Sequence, residues 1–422
     1  MKARILEFAN RFKFWRHDKP DNGGSNQPPE YNIPEITPIN CRESEYSGAR
    51  LNLLIPGLSL RYAFGGINTA IEFFMNLIGD SKDSRIIITD EVESDLLGFS
   101  QAKFWTQLKS EDADQDGKII LCIGDRYNKS IPVRKNDVFV ATAWWTAYNG
   151  ERILKWQKEK WRVDPLPMVY LIQDFEPGFY SWSSRYLLAF STYQQKNIIA
   201  IVNTSLLSDY LKYSGINFKH YYIFEPTLNK NLTKAYQQKK DFPKKRKIIF
   251  YGRPSVDRNA YEVVIKGLEY WSGWYPNARN WEVVSLGQVY PNIKLQNEIQ
   301  VTVKGKVTLD EYAGILLESA IGISLMISPH PSYPPLEMAA FDLAVITNKF
   351  FGKNLSEYHD NLFSLENINP ENIALLLEDL CKKFETRPTG FTNKNFRNLE
   401  FINKKAAFNF IEDLRRHLKR SV

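Results

Sequence analysis

The stretch that decides the fold reads IGISLMISPHPSYPPLEMAAFDLAVIT, from Ile321 to Thr347. It begins with the short apolar run Ile321–Met326 and passes through a proline-rich loop. A helical segment, Pro335–Phe341, follows with proline in its first turn. The stretch ends in a second apolar run, Val345–Thr347. Short apolar runs bounded by turns indicate buried strands, and a strand–helix–strand succession predicts a parallel sheet.

The same alternation continues on both sides of this stretch. Upstream, the pattern predicts strands at Lys247–Tyr251 and Glu282–Leu286 and helices at Asn259–Trp271 and Leu309–Glu318. Downstream, it predicts a helix at Pro370–Phe384 with an acidic start and a basic end. Phe401–Leu418 is helical and amphipathic, and we expect it to cross back to the first half of the chain.

The first half of the chain shows the same pattern and predicts a second unit of similar size. Its predicted helices are Ile67–Ile78 and Ser205–Tyr213. Its predicted strands are Leu51–Pro56, Arg85–Thr89, Val138–Thr142, Val169–Ile172, Ile198–Val202 and Tyr221–Phe224. We therefore predict an α/β protein with two Rossmann-like, doubly wound domains facing across a cleft. Ligands of such sheets bind at the carboxyl ends of the strands.

Composition limits the classes of function. The chain has 422 residues, 43% of them hydrophobic, and 55 Lys+Arg against 48 Asp+Glu give a net charge of +7. This is the composition of a globular protein, and the excess is divided almost evenly between the halves, which disfavours a nucleic-acid partner. The three cysteines form no C-x-x-C pair and fit a reducing compartment. With no long apolar run, we expect a cytoplasmic protein.

Two local clusters carry the basic residues. Met1, Ile5, Phe8, Phe12 and Trp15 recur at helical spacing among basic residues, which predicts a basic amphipathic helix over residues 1–17. Such a helix can lie on the inner face of the plasma membrane or pack on the protein's own core. A polar stretch, Asp18–Tyr46, predicts a mobile connector, so we assign residues 1–46 to helix and connector. The second cluster, Lys239–Lys247, predicts a solvated linker between domains at 47–240, with 401–422 added, and 241–400.

Candidate binding groups follow the predicted strands of the second half. In KIIFYGRPSVDRN, Lys247–Asn259, the strand ends at Gly252, Arg253 follows it and Arg258 opens the next helix. Two guanidinium groups with helix-start amides can hold a diphosphate, although an arginine after a strand is more often a surface residue. Glu337, near the start of its helix, can cap that helix or accept hydrogen bonds from a ribose diol.

Candidate catalytic groups follow a strand of the first half. Gln173, Asp174 and Glu176 come directly after Val169–Ile172. Acids at a strand end beside a cleft can act as general bases toward an acceptor hydroxyl. Alternatively, one of the two acids caps the following turn. Gly65 and Gly66 allow a ligand to approach the backbone, or they form an ordinary strand–helix turn.

Aromatic side chains and an acidic turn have simpler interpretations. Trp144, Trp145, Tyr180 and Trp182 can stack on sugar faces, although core packing is the more common role of such residues. The acidic stretch 112–117 resembles the start of a calcium loop but has isoleucine where the terminal glutamate would stand, so it is interpreted as a polar turn. The histidines are scattered, so we expect no metal site, and His330 alone is singled out, for its place in the proline-rich loop.

The second half resembles the donor domain of a GT-B glycosyltransferase and is most similar to glycosyltransferase family 4. That family clamps the nucleotide diphosphate with an arginine and a lysine, and Arg253 and Arg258 match these positions. The second glutamate of its Glu-x7-Glu motif binds the nucleotide ribose and matches Glu337, whereas the first falls at Pro329, so sugar recognition must differ. The resemblance covers about residues 50–385.

Three further positions belong to the nucleotide-sugar site that the resemblance implies. Lys306, in the segment VKGKV, adds a charge near the phosphates, and Tyr333 lies on the motif loop. Gly65-Gly66 resembles the family's glycine-rich loop in the first domain.

A narrower resemblance is carried by VYLIQDFEPGFYSWSSRYLLAFSTY, Val169–Tyr193, and by SPHPSYPPLEMAAF. Both are similar to bacterial rhamnan-synthesis rhamnosyltransferases, such as those of S-layer glycan assembly. This implies retaining transfer of L-rhamnose from dTDP-β-L-rhamnose to a rhamnan or other saccharide, free or lipid-linked, in a β-1,2 linkage. The family resemblance implies no cofactor or required metal. From their position at the strand end, we predict that Asp174 activates or orients the acceptor hydroxyl and that Glu176 supports it.

Three alternatives stay open at this point. The first is a glycosyltransferase that uses a UDP- or GDP-sugar. The second is a non-catalytic GT-B-like protein that binds saccharides or acts as a scaffold, which the loss of the acid at Pro329 would favour. The third is a nucleic-acid or membrane-surface binder that uses the two basic clusters.

Overall fold

A computed structural model describes residues 33–59, 65–127, 129–237, 243–388, 391 and 407–420. The predicted amphipathic helix over residues 1–17 lies outside the described residues. The chain divides into a leading unit, Met1–Ile36, and one body, Thr37–Val422, that contains both predicted domains. Within the described residues, no helix combines the length and apolar character that crossing a membrane requires.

The first sheet is wholly parallel. Its order is β10-β9-β8-β7-β2-β3-β5-β4, so the chain doubles back at the centre. The central strands are buried on both faces, which explains their continuous apolar runs. A separate pair, β1 (Asn40–Glu43) and β6 (Ser130–Val133), is also parallel. The sheet strands are β2 (Arg50–Ile55), β3 (Ser84–Ile88), β4 (Thr106–Leu108), β5 (Lys118–Cys122), β7 (Asp137–Ala141), β8 (Met168–Ile172), β9 (Ile198–Asn203) and β10 (His220–Phe224).

The second sheet has the order β13-β14-β12-β11-β15-β16-β17 and is parallel except for its edge pair β13–β14. The doubly wound topology predicted for both halves is therefore present. The strands are β11 (Lys245–Gly252), β12 (Glu282–Gly287), β13 (Ile293–Lys294), β14 (Gln300–Gly305), β15 (Ser319–Ile323), β16 (Ala344–Asn348) and β17 (Leu362–Leu365).

Helices cover the faces of both sheets, and their starts follow local chemistry. Thr308 and Glu311 form a reciprocal capping box, and Asn369 caps the helix that opens with Pro370. The helices are α1 (Gly65–Ile78), α2 (Trp144–Trp161), α3 (Ser184–Thr192), α4 (Ser205–Tyr213), α5 (Lys230–Gln237), α6 (Tyr261–Trp274), α7 (Leu309–Glu318), α8 (Tyr333–Ala340), α9 (Pro370–Thr386) and α10 (Ile411–Arg420).

The C-terminal helix crosses back to the first domain, as predicted. Phe408 packs edge-on against Phe73 of α1, and Phe410 stacks on Tyr222 of β10. Arg415 Nε donates to the carbonyl of Leu77 at 3.0 Å. The described part of the predicted helix Phe401–Leu418 begins later, at Ile411, after a turn.

Two sequence predictions about connecting segments are wrong in part. The predicted connector Asp18–Tyr46 contains strand β1, because Asn40–Glu43 pairs with β6. The predicted linker Lys239–Lys247 is part of the second domain from Lys244 onward. Lys244 Nζ donates to the carbonyls of Leu316 and Phe341 at 2.7 Å each, and β11 begins at Lys245.

The acidic turn resembling a calcium loop belongs to a buried ion-pair network beneath the first sheet. Asp114 accepts from Arg50 Nη1 at 2.6 Å and Arg134 Nε at 2.9 Å. Burial opposes ionisation of Asp114, but the Arg50 charge and the hydrogen bonds from Ser44, Arg134 and Arg50 lower its pKa to about 2. The turn therefore neutralises buried arginines, in line with its interpretation as structural.

Candidate functional site

Both predicted arginines, Arg253 and Arg258, lie after the carboxyl end of strand β11. Arg253 follows β11 directly, and its guanidinium carbon lies 5.9 Å from the Tyr251 ring centroid. Arg258 lies in the short turn before α6. Its guanidinium carbon is 4.2 Å from the ring centroid of Phe179, which belongs to the first domain. Burial lowers the pKa of Arg258, and Asp174 opposes this shift. The Arg253 charge also acts on it, so the two cations share one region.

Asp174 joins the two domains. Its Oδ1 accepts from the Ser328 hydroxyl in the loop after β15 and from the Phe175 amide at 2.8 Å. Its Oδ2 lies 3.7 Å from Arg258 Nε. The predicted catalytic acid and the predicted diphosphate-binding arginine are thus brought together at one point of the cleft.

Glu176 is buried behind this point. One of its carboxylate oxygens accepts from the backbone amide of Trp144, at the start of α2. Burial raises the pKa of Glu176 to about 8, because an ion is poorly solvated there. The Tyr193 hydroxyl donates to the Asp174 carbonyl at 3.1 Å and accepts from the Glu176 amide at 3.2 Å. Glu176 and Tyr193 therefore fix the backbone that presents Asp174.

Glu337 lies one turn inside α8 rather than in its first turn. Burial raises its pKa to about 7, and a hydrogen bond from the Tyr312 hydroxyl opposes that rise. Tyr333, the first residue of α8, lies with its hydroxyl 3.5 Å from Asn203 Nδ2 across the cleft. This part of the site contains a carboxylate able to accept hydrogen bonds from a diol.

Three polar side chains surround Asp174. The sequence singled out His330 without giving it a role and did not point to Ser328 or Lys353. Ser328 donates to Asp174, and Lys353, after β16, carries a charge that Asp174 stabilises. Burial lowers the pKa of Lys353 to about 7, and its Nζ donates to the Met326 carbonyl at 2.6 Å. His330 is buried beside them. All three lie in loops that follow β15 or β16, at the same edge of the sheet as Arg253. That position was the one feature of the sequence that could have indicated them as site residues.

The remaining predicted residues occupy the rim of the cleft or its supports. α1 begins at Gly65, and the Gly66 carbonyl accepts from Gln173 Nε2 at 2.9 Å. Lys306 is exposed at the end of β14. Trp144 is buried and donates to the Tyr180 hydroxyl, whereas Trp182 is 92% exposed.

Comparisons with known proteins identify the same two-domain organisation. A family model described as the WsaF N-terminal domain matches residues 50–205, and one described as the WsaF C-terminal domain matches residues 246–378. Together the two models match more than half of the chain. The O-antigen biosynthesis protein RfbC of Myxococcus xanthus is 29% identical over 212 residues. That match covers 50% of this chain but only 15% of the relative.

Solved structures of other proteins share the fold. HepE of Anabaena, solved in complex with UDP, superposes with a TM-score of 0.55 at 10% identity, covering 88% of this chain and 100% of HepE. Sucrose-phosphate synthase of Thermosynechococcus elongatus gives a TM-score of 0.54 at 12% identity, with coverages of 88% and 100%. With both WsaF domains matched and two Rossmann-like sheets facing across a cleft, this chain belongs to the WsaF family of GT-B glycosyltransferases.

Proposed function

We propose that this chain is a retaining rhamnosyltransferase that moves L-rhamnose from dTDP-β-L-rhamnose to a saccharide acceptor in bacterial surface-polysaccharide synthesis, forming a β-1,2 linkage. The observation that carries the proposal is the loop after β15. Between Ser328, which bonds Asp174, and Glu337, it has Pro329, Pro331, Pro334 and Pro335 and lacks an acid. A 6-deoxy sugar presents a methyl group, and an apolar loop is a suitable contact for it.

The donor nucleotide is held by groups of the second domain in this proposal. Arg253 and Arg258 lie at the β11 end with the charge and donor geometry that a diphosphate requires. They stabilise the negative charge that develops as the diphosphate leaves, without a required metal ion. Glu337 accepts a hydrogen bond from the 3′-hydroxyl, the one free hydroxyl on the deoxyribose of dTDP.

The acceptor is oriented from the first domain. Asp174 lies at the carboxyl end of β8, where its carboxylate can accept the hydrogen bond of an acceptor hydroxyl once Ser328 and Arg258 turn to substrate. Glu176 supports the Asp174 backbone from the buried side. The RfbC match and the WsaF domains support a saccharide acceptor that belongs to a surface polysaccharide.

Thermal unfolding with a panel of dTDP, UDP and GDP and their sugars tests this function. A nucleotide at 100 times its dissociation constant stabilises the folded state by about 2.7 kcal/mol, which is easily measured as a shift in Tm. We expect the largest shift with dTDP-L-rhamnose. A larger shift with UDP-glucose would replace the proposed donor, and a flat response to every nucleotide would favour a non-catalytic saccharide-binding protein.

Glu337 gives the donor affinity a pH dependence. Because burial places its pKa at about 7, the carboxylate that accepts the deoxyribose 3′-hydroxyl is lost as the pH falls. Binding of dTDP-L-rhamnose, measured by calorimetry, should be about tenfold weaker at pH 6 than at pH 8 if only the ionised form binds well. Glu337→Gln should bind weakly at both pH values. Equal wild-type affinity across this range would rule out the contact between Glu337 and the deoxyribose.

A further inference from the structure

His330 places a buried hydrogen-bond donor in the loop after β15, beside the groups already described. His330 lies in the loop between β15 and α8 and is only 6% exposed. Its Nδ1 accepts the Ser332 amide at 3.0 Å. The neutral ring therefore carries its proton on Nε2, because one imidazole nitrogen donates when the other accepts. Among the described residues, Nε2 has no hydrogen-bond partner.

The ring is held firmly in this position. Ser332 has a φ of 68°, in the left-handed region that is costly for serine, and the bond to His330 Nδ1 supports that conformation. The His330 amide donates to the Ser328 hydroxyl at 3.0 Å, and the Tyr333 ring centroid lies 5.8 Å from that of His330. A buried donor without a partner costs free energy, so a fixed one points to a partner that substrate supplies.

Its neighbours indicate which part of the substrate that is. The His330 amide donates to the Ser328 hydroxyl, which in turn donates to Asp174 on the acceptor side. Tyr333 and Glu337, on the nucleotide side, follow in α8. The transferred group must lie between nucleotide and acceptor. Burial lowers the pKa of His330 to about 4, so the ring is uncharged at neutral pH. A neutral N–H suits a sugar hydroxyl, whereas the cations Arg253 and Arg258 suit the diphosphate.

We propose that His330 Nε2–H donates a hydrogen bond to a hydroxyl oxygen of the transferred sugar and so determines donor-sugar specificity beside the proline-rich loop. This inference rests on the proposed transferase function. It gives the loop a neutral donor next to Pro329, the position that lacks an acid.

Two substitutions of His330 distinguish the role of the Nδ1 acceptor from that of the Nε2 donor. In His330→Asn, the amide oxygen can replace Nδ1 and hold Ser332, but the Nε2 donor is lost. In His330→Gln, the amide nitrogen can reach the Nε2 position. We expect His330→Asn to lower kcat/KM for rhamnosyl transfer by about 10- to 100-fold and leave the Kd of dTDP within about twofold. His330→Gln should recover most of the transfer.

A matched control is His359, whose Nδ1 accepts the Asn361 amide at 2.9 Å in a similar local geometry. His359→Asn should leave the ratio of transfer efficiency to dTDP affinity unchanged. Full transfer by His330→Asn would overturn the inference and indicate a purely structural role. Parallel losses of dTDP binding and transfer would also overturn it. A wild-type protein that binds dTDP but transfers no rhamnose would instead overturn the proposed function.

Discussion

Replacing Arg258 with alanine should lower kcat/KM for sugar transfer by about 10²- to 10³-fold, the range seen when one preorganised group that stabilises developing charge is removed. Two effects combine. The leaving diphosphate loses a cation, and Asp174, 3.7 Å from Arg258 Nε, loses the partner that holds it in the cleft. Steady-state kinetics with the nucleotide sugar and a saccharide acceptor measure the change.

Two further variants define the cause. Arg258→Lys keeps the charge but not the planar guanidinium over Phe179, so it should recover only part of the activity. Arg246→Ala is the matched control, because Arg246 lies in β11, half exposed, 3.8 Å from Glu385. It should retain activity within about twofold. Transfer by Arg258→Ala within threefold of the wild type would contradict the role assigned to this arginine.

Replacing Asp137 with alanine should destabilise the protein by about 3–5 kcal/mol, the cost of leaving buried charges without their partner. Asp137 is fully buried at the start of β7 and accepts from Arg50 Nε and Nη2 at 3.0 Å each. Arg85 Nη2 lies 3.5 Å from the same carboxylate. Without it, Arg50 keeps its ion pair with Asp114 but loses its two hydrogen bonds to Asp137. The midpoint of urea unfolding measures the loss.

The control for this prediction is an exposed ion pair of similar length. Lys158 Nζ lies 2.7 Å from Asp164, and both side chains are mostly exposed. Asp164→Ala should therefore change the free energy of unfolding by less than about 1 kcal/mol. If Asp137→Ala shifted the urea midpoint no more than Asp164→Ala, the buried network would contribute little to the first domain.

The sequence was sufficient to predict most of the strands that are buried on both faces, although β5, Lys118–Cys122, was missed. Val169–Ile172 and Val345–Thr347 are short and mostly apolar, and the structure has strands at both. Helix α2, Trp144–Trp161, was missed because its buried face includes Asn149, Gly150 and Gln157, which weaken the apolar period. Strand β4 was missed because it has only three residues and is largely exposed.

Individual residues of the site could be predicted from the sequence, but the contacts between them could not. Asp174 and Arg258 each follow a predicted strand, yet their contact depends on how the two domains face each other, which no local pattern records. Lys353 was missed and His330 was given no role, because a single lysine or histidine in a loop is usually exposed, whereas here both are buried. Burial, not residue type, marks them as part of the site.

The central claim is transfer of rhamnose across this cleft. Wild-type protein would be incubated with dTDP-β-L-rhamnose and a rhamnose-terminated saccharide, and the products analysed by NMR. We expect release of dTDP and one new β-1,2-linked rhamnosyl residue, with the anomeric configuration of the donor retained. Transfer of another sugar in preference to rhamnose, an inverted linkage, or binding of dTDP-rhamnose without any transfer would contradict this claim.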